Sequence, residues 1–246
     1  MPRISLLGIP IDALTQREAV RRIQKMCYSD TQHHVITPNS EMLVSASIHP
    51  DFFAVLQLSS LNIPDSAGLL WAARHTQQEL PERVAGVDVV QELCSTLGEG
   101  VRVFLLGGKG GVGQRAGDVL LQKNPRLQVV GTYEGSPRSE DVEEIVQRVN
   151  VAQPTLLLVA FGAPQQDEWI ATYLKEMPSV HVAMGVGGTF DFLAGKTKRS
   201  PLWMQRMGLE WLWRVVREPW RWRRVLNAIV VFPYLVLRHG RHPVSG

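Results

Sequence analysis

Short apolar runs alternate, over the first 190 residues, with segments whose apolar positions recur every three or four residues. The runs at 5–11, 34–37, 61–64, 102–106, 128–132, 155–161 and 181–185 predict strands. Helix-period segments fall near 15–28, 41–57, 66–75, 88–97, 112–123, 139–150 and 164–175. Ser139, followed by Glu140, Asp141, Glu143 and Glu144, reads as an N-cap with acids set against the positive helix end. Strands alternating with helices at this spacing predict an α/β fold. The expected architecture is Rossmann-like: a mostly parallel sheet with helices on both faces.

Composition narrows the class. With 45% hydrophobic residues and a net charge of only +3 in 246 residues, the chain is no disordered polymer. The longest apolar stretch, 225–237, is broken by Asn227 and Pro233 and falls short of the roughly 20 residues a bilayer span needs. The opening apolar run ends at Asp12 without a cleavage-like site, so no secretory signal is expected. Two distant cysteines, Cys27 and Cys94, are expected to be reduced core thiols of a cytosolic protein.

Charge is unevenly placed. Residues 198–246 hold ten Lys or Arg against two acids, and five of the seven Trp. The rest of the chain is net acidic. A division follows into an α/β catalytic domain, 1–197, and a basic, Trp-rich helical appendage, 198–246, suited to phosphates or an anionic membrane. Arg214, Arg217, Arg221 and Arg224 would form one stripe on a continuous helix, although Pro219 must begin a new helix or kink this one.

In doubly wound folds ligands sit at the carboxyl ends of strands. Six glycine- or turn-rich loops follow predicted strands, and together they predict a nucleotide-type site with candidates Gly107, Gly108, Tyr133, Glu134, Gly187 and Gly188. Gly108-x-Gly110-x-x-Gly113, with Glu134 21 residues beyond the last glycine, matches a dinucleotide fingerprint by spacing. That keeps an NAD-dependent oxidoreductase as one rival. Gln114 and Arg115 stand where a P-loop needs Lys and Ser/Thr, which argues against an ATPase. Asp65 reads equally as a helix N-cap or as a general base at the mouth of the site. Arg83 suits a diphosphate, and Thr37 and Asn39 suit a sugar or a simple turn. No HxxxH, HxxE or DxD pattern gathers metal ligands, and His33-His34 reads as a strand entry.

Taken together these loops resemble one family. The segments Thr37-Pro-Asn-Ser-Glu41, Pro64-Asp65, Arg83-Val-Ala-Gly-Val-Asp88 and Phe104-Leu-Leu-Gly-Gly108 are similar to the WecG/TagA/CpsF glycosyltransferases. So are Gly162-Ala-Pro-Gln-Gln166, Gly185-Val-Gly-Gly-Thr-Phe-Asp-Phe-Leu-Ala-Gly195, Lys198-Arg-Ser-Pro201 and Gly208-Leu-Glu-Trp-Leu-Trp-Arg214. The resemblance runs from about residue 5 to 225. It implies an inverting transfer of a sugar, N-acetylmannosamine or a related hexose, hexosamine or uronic acid, from a UDP donor to an undecaprenyl-diphosphate-linked sugar. Such steps serve teichoic-acid linkage units, enterobacterial common antigen, capsule or exopolysaccharide.

Carried across by position, the resemblance implies Asp65 as base and Arg83 near the diphosphate. Thr37, Asn39 and Gln166 then lie near donor or acceptor sugar, and Arg214, Arg221 and Arg224 complete the site at the membrane. It implies no metal or other cofactor, no nucleic-acid partner, and peripheral attachment to the cytoplasmic face of the bacterial plasma membrane; a homo-oligomer is compatible with it. Two positions depart from the family: Ser66 where Gly usually follows the aspartate, and Ser136-Pro137 where an aromatic pair is common. The rival outside enzymology is a basic, non-catalytic module binding membrane or nucleic acid.

Overall fold

The computed structural model describes residues 2–201, 203–204, 207, 210–217 and 222–244. It opens with a hairpin of β1 (Arg3–Leu6) and β2 (Ile9–Asp12), paired from Arg3↔Asp12 to Leu6↔Ile9. Leu7 and Gly8 carry positive φ of 52° and 80°, the two-residue turn whose twist suits antiparallel strands. The single strand expected at 5–11 is therefore two, and they form a separate sheet. Buried Asp12 ties the hairpin down, accepting from Arg3 Nε at 3.0 Å, from Arg22 at 3.2 Å and from the Asn62 N–H at 2.9 Å.

Helix α1 (Gln16–Cys27) starts at a capping box in which Thr15 and Glu18 satisfy each other's backbone N–H. Its buried residues Ala19, Val20, Ile23, Met26 and Cys27 keep helical spacing on one face. The main sheet holds β3 (His33–Ile36), β4 (Leu61–Asn62), β5 (Arg102–Gly107), β6 (Gln128–Tyr133), β7 (Leu156–Ala160) and β8 (Val182–Gly185). Its order is β4-β3-β8-β7-β5-β6, with every pairing parallel.

Between the strands run α2 (Ser40–Ile48), α3 (Pro50–Leu58), α4 (Ala67–His75), α5 (Gly86–Thr96), α6 (Val112–Lys123), α7 (Ser139–Ala152) and α8 (Gln165–Tyr173). A single helix was expected over 41–57. Pro50 divides it, because proline cannot donate to the preceding turn but fits a first helical position. Helix α7 begins at Ser139 itself, with Arg138 in the cap position and no side-chain cap bond, so Ser139 is not the N-cap; Glu140 and Asp141 do lie in the first turn. A short α9 (Thr189–Leu193), absent from the predicted elements, follows β8.

Alternate residues of the central strands feed two apolar layers, as a sheet covered on both faces requires. Val103, Leu105, Leu156, Leu158, Val182 and Met184 pack with α1, α5, α6 and α9. Phe104, Leu106, Leu157, Val159 and Ala183 face α7 and α8. A third cluster joins the hairpin, α2, α3 and α4 to Phe232 and Val236, which are 0% and 1% exposed.

Those two residues come from the basic C-terminal region. It contains α10 (Glu210–Arg217), α11 (Trp222–Leu226), a π-helical stretch at Asn227–Val231, and α12 (Phe232–His239). Beyond α12 the chain returns to the hairpin: the Leu7 N–H donates to Gly240 O and the Gly8 N–H to Arg241 O, both at 3.0 Å. The end of the tail thus shares the core and backbone pairing of the body. Among the described residues no helix is long and apolar enough to cross a membrane.

Candidate active site

The connection after β5 runs outward to β6, whereas that after β7 runs inward to β8. The carboxyl edge of the sheet between β7 and β5 is thus the topological switch point, the place where such folds bind ligands. Thr37 and Asn39 follow β3, Asp65 follows β4, Gly107 ends β5 with Gly108 just beyond it, Gln166 follows β7, and Gly187 and Gly188 follow β8.

Asp65 is placed by backbone. Its N–H donates to Pro38 O at 2.9 Å, and the Val84 N–H donates to Pro64 O at 2.9 Å. The cap of α4 is Ser66, whose Oγ accepts from the Leu69 N–H and lies 3.0 Å from Ser40 Oγ. A glycine there would supply no cap. With Ser66 in that role, Asp65 Oδ2 accepts the N–H of Gly86, the first residue of α5, at 3.0 Å. Arg83 Nε stands 3.6 Å from Asp65 Oδ1. Thr37 closes the group: a Cβ on Gly86 would lie 3.2 Å from Thr37 Oγ1 and 3.5 Å from Asp65 Oδ2. A helix N-terminus and a guanidinium thus both face this carboxylate.

The expected residues fall into three groups. Thr37, Asp65 and Arg83 converge as described. Asn39 lies beside them as the N-cap of α2, its Oδ1 accepting from the Met42 N–H at 3.0 Å. Gln166 is buried, and its Oε1 accepts from Gly162 at 3.1 Å and Gly187 at 2.9 Å, so it binds two strand-end loops together.

The glycine loop is the third group. Gly107, at φ +104°, passes so close to β7 that a Cβ would stand 2.8 Å from the Ala160 backbone. Glu134 Oε1 accepts the Gly111 N–H at 2.7 Å, occupying a donor that a dinucleotide's pyrophosphate would use. Tyr133 points to the opposite face of the sheet, under Arg148 at 4.4 Å from the ring centroid. There it lines an open groove of about 710 Å³ between β6 and α7.

Among the tail arginines, Arg224 is described and donates to Glu41 Oε1 at 2.5 Å. Arg221 and the side chain of Arg214 lie outside the described residues. Arg199 holds Asp88, in the first turn of α5, with bonds of 2.5 and 3.1 Å. Sequence reasoning missed this pair, Glu41 as a partner, and buried His34 and Asp167. An acid in a helix's first turn is usually a solvated dipole partner, so no local signal marked Asp167 as buried. No three His, Cys, Asp or Glu side chains among the described residues gather as a metal site.

These loops fall, in order, on a known protein family. The description "Glycosyl transferase WecG/TagA/CpsF family" matches residues 4–245. The chain belongs to this family. A Bacillus subtilis (strain 168) relative named N-acetylglucosaminyldiphosphoundecaprenol N-acetyl-beta-D-mannosaminyltransferase is 33% identical over 194 residues, 78% of this chain and 75% of its own. Staphylococcus aureus relatives of the same name, from strains MRSA252 and MW2, are 28% identical over 245 residues, covering 97% of this chain and 94% of theirs. The WecG/TagA/CpsF assignment makes the chain a glycosyltransferase. It disfavours both the oxidoreductase and the non-catalytic module.

Proposed function

We propose that the enzyme transfers N-acetylmannosamine from a UDP donor to undecaprenyl-diphosphate-linked N-acetylglucosamine. The observation that carries this reading is the Thr37–Asp65–Arg83 group at the strand ends, taken with the name its relatives share. That name specifies a β linkage. From an α-linked nucleotide sugar this requires inversion, a single displacement at the anomeric carbon.

Asp65 removes the proton from the acceptor hydroxyl as its oxygen attacks the anomeric carbon from the face opposite the diphosphate. The bond from that carbon to the diphosphate oxygen breaks, and UDP departs with the electron pair. Arg83 and the loop N–H groups stabilise the departing charge without a metal. The Arg83–Asp65 ion pair is partly exposed, with side chains 21% and 27% accessible, and such pairs contribute about 1 kcal/mol or less. A diphosphate, offering charge-assisted and bidentate bonds, outcompetes that contact and leaves the carboxylate to the acceptor.

We further place the reaction at the cytoplasmic face of the membrane. Trp222, Leu226, Ile229, Val230, Tyr234 and Leu237 are exposed on a rod whose other side, Phe232 and Val236, is fixed in the core. Such a rod suits peripheral contact at the headgroup level, where the acceptor's diphosphate lies. The test is a panel of UDP-sugars incubated with undecaprenyl-diphosphate-linked N-acetylglucosamine, reading UDP release and product mass. Turnover with UDP-N-acetylmannosamine alone supports the reading, and turnover only with another sugar or acceptor overturns it.

A further inference from the structure

Gln166 joins the loops after β7 and β8 only while its amide oxygen, not its nitrogen, faces Gly162 and Gly187. Turned by 180°, the amide would set N–H against two N–H donors and lose both bonds. The neighbouring residue supplies a reason for one orientation. Asp167 is 0% exposed, and its Oδ2 lies 3.5 Å from Gln166 Nε2. On the other side, His34 Nε2 stands 3.5 Å from Asp167 Oδ1, with both side chains at least nine-tenths buried. Among the described residues, neither of those two atoms has a hydrogen-bond partner.

A carboxylate withdrawn from water is costly, and no step of the proposed transfer uses it. The sheet nonetheless makes room for it. A Cβ on Gly185 would overlap Asp167 Oδ1 and stand 2.6 Å from Gln166 Nε2. His34 comes from β3, Gly185 from β8 and Asp167 from α8, so three elements converge on one buried contact.

We propose that Asp167, backed by His34, is a positioning residue for the donor side of the site. Its carboxylate draws the Gln166 Nε2 inward, which turns Oε1 outward to the two N–H groups. The spacing between the β7 and β8 loops is thereby set for the nucleotide. This inference rests on the donor assignment made above.

Reversing the polarity of the contact tests it. Gln166→Glu opposes a second carboxylate to Asp167. UDP binding is expected to weaken roughly tenfold or more, because repulsion between the two carboxylates displaces residue 166 and strains its bonds to Gly162 and Gly187. Donor KM rises in parallel, acceptor KM holds, and amide exchange at Gly162 and Gly187 accelerates. Adding Asp167→Asn restores a donor–acceptor pair, with the introduced amide donating to the introduced carboxylate. Binding should return to within about threefold of the native protein, since the bond count is the same. Asp167→Leu, similar in shape but without an acceptor, is the independent arm and should raise donor KM and both exchange rates.

The proposal is overturned if the double variant is no better than Gln166→Glu, or if Asp167→Leu lowers Tm without moving donor KM or either exchange rate. The exchange arm needs no nucleotide. If the native protein fails to bind UDP, the donor assignment falls, while exchange at the two amides still decides whether Asp167 orients Gln166.

Discussion

The Gly86 N–H donates to Asp65 Oδ2 across 3.0 Å, linking the first turn of α5 to the loop after β4. Asp65 is therefore held by a helix that starts 21 residues further along the chain, while its neighbour Ser66 caps the helix that immediately follows. One carboxylate oxygen is fixed by the backbone, and the other faces Arg83. Capping and catalysis read as alternatives for Asp65 in the sequence. The geometry gives the α4 cap to Ser66 and sets Asp65 against Arg83 and the start of α5.

Replacing Asp65 with Asn should separate its two contacts. The amide oxygen still accepts from Gly86, so stability should change by less than about 1 kcal/mol, the range of one neutral hydrogen bond. Proton acceptance is lost, and turnover should fall by roughly 10²–10⁴-fold with UDP affinity little altered. Single-turnover rates and calorimetric UDP binding check this. A near-native rate would leave Asp65 as a structural tether.

Local patterns were legible where one element's own residues decide the outcome. The six parallel strands and helices α1 and α4 to α8 were readable because apolar period and length agree there. The hairpin was not, because Leu7 at φ 52° reads as a strand residue until Gly8 is recognised as the second half of a turn. Proline at a first helical position, Pro50, looks in sequence like any residue tolerated near a helix start. The six strand-end loops were legible, yet the burial of His34 and Asp167 was not. Their significance lies in burial against each other across 133 positions, a relation no local window contains. The packing of Phe232 and Val236 was hidden in the same way, since a tail's composition reveals its charge but not which face the body covers.

Burial pushes the thiols of Cys27 and Cys94 up to about 12 from an ordinary value near 9, with Cys94 further raised by Cys27. The sign follows directly: the unfolded chain releases these protons near pH 9 and the folded chain near 12. Their contribution to stability is fully present below pH 9 and is lost as pH rises towards 12. Alkylation of the native protein at pH 8 should therefore follow global unfolding, measured as labelling against denaturant. Rapid labelling of either cysteine in the native state would contradict this burial.

Chelation provides a separate check on how the leaving charge is met. If Arg83 and the loop amides stabilise UDP, EDTA should leave turnover unchanged. Arg83→Ala should lower kcat by roughly 10²–10³-fold, the loss typical of removing one preorganised donor to developing charge. Activity abolished by EDTA and restored by magnesium or manganese would transfer that role from Arg83 to a metal.

The last prediction separates the two faces of the C-terminal rod. Phe232 is wholly buried among the hairpin, α2, α3 and α4, so Phe232→Ala should cost about 3–5 kcal/mol of stability. Truncating the chain before α11 would remove that side chain and the pairing of Gly240 and Arg241 with the hairpin, so truncation cannot isolate membrane contact from folding. Point changes on the outer face can. Ile229, Val230 and Leu237 are 43%, 53% and 62% exposed, and replacing them with Asp removes apolar area without opening the core. Each introduced acid also opposes anionic lipid, where a basic residue contributes about 1 kcal/mol. The triple variant should keep its Tm within a few degrees, lose co-sedimentation with anionic vesicles, and lose transfer to the lipid acceptor. Transfer to a water-soluble acceptor of the same diphosphate sugar should persist at the native rate, because Asp65 and Arg83 are untouched. Native vesicle binding by this variant would exclude the outer face of the rod as the membrane contact. Loss of transfer to both acceptors would instead place these residues in the chemistry rather than at the lipid surface.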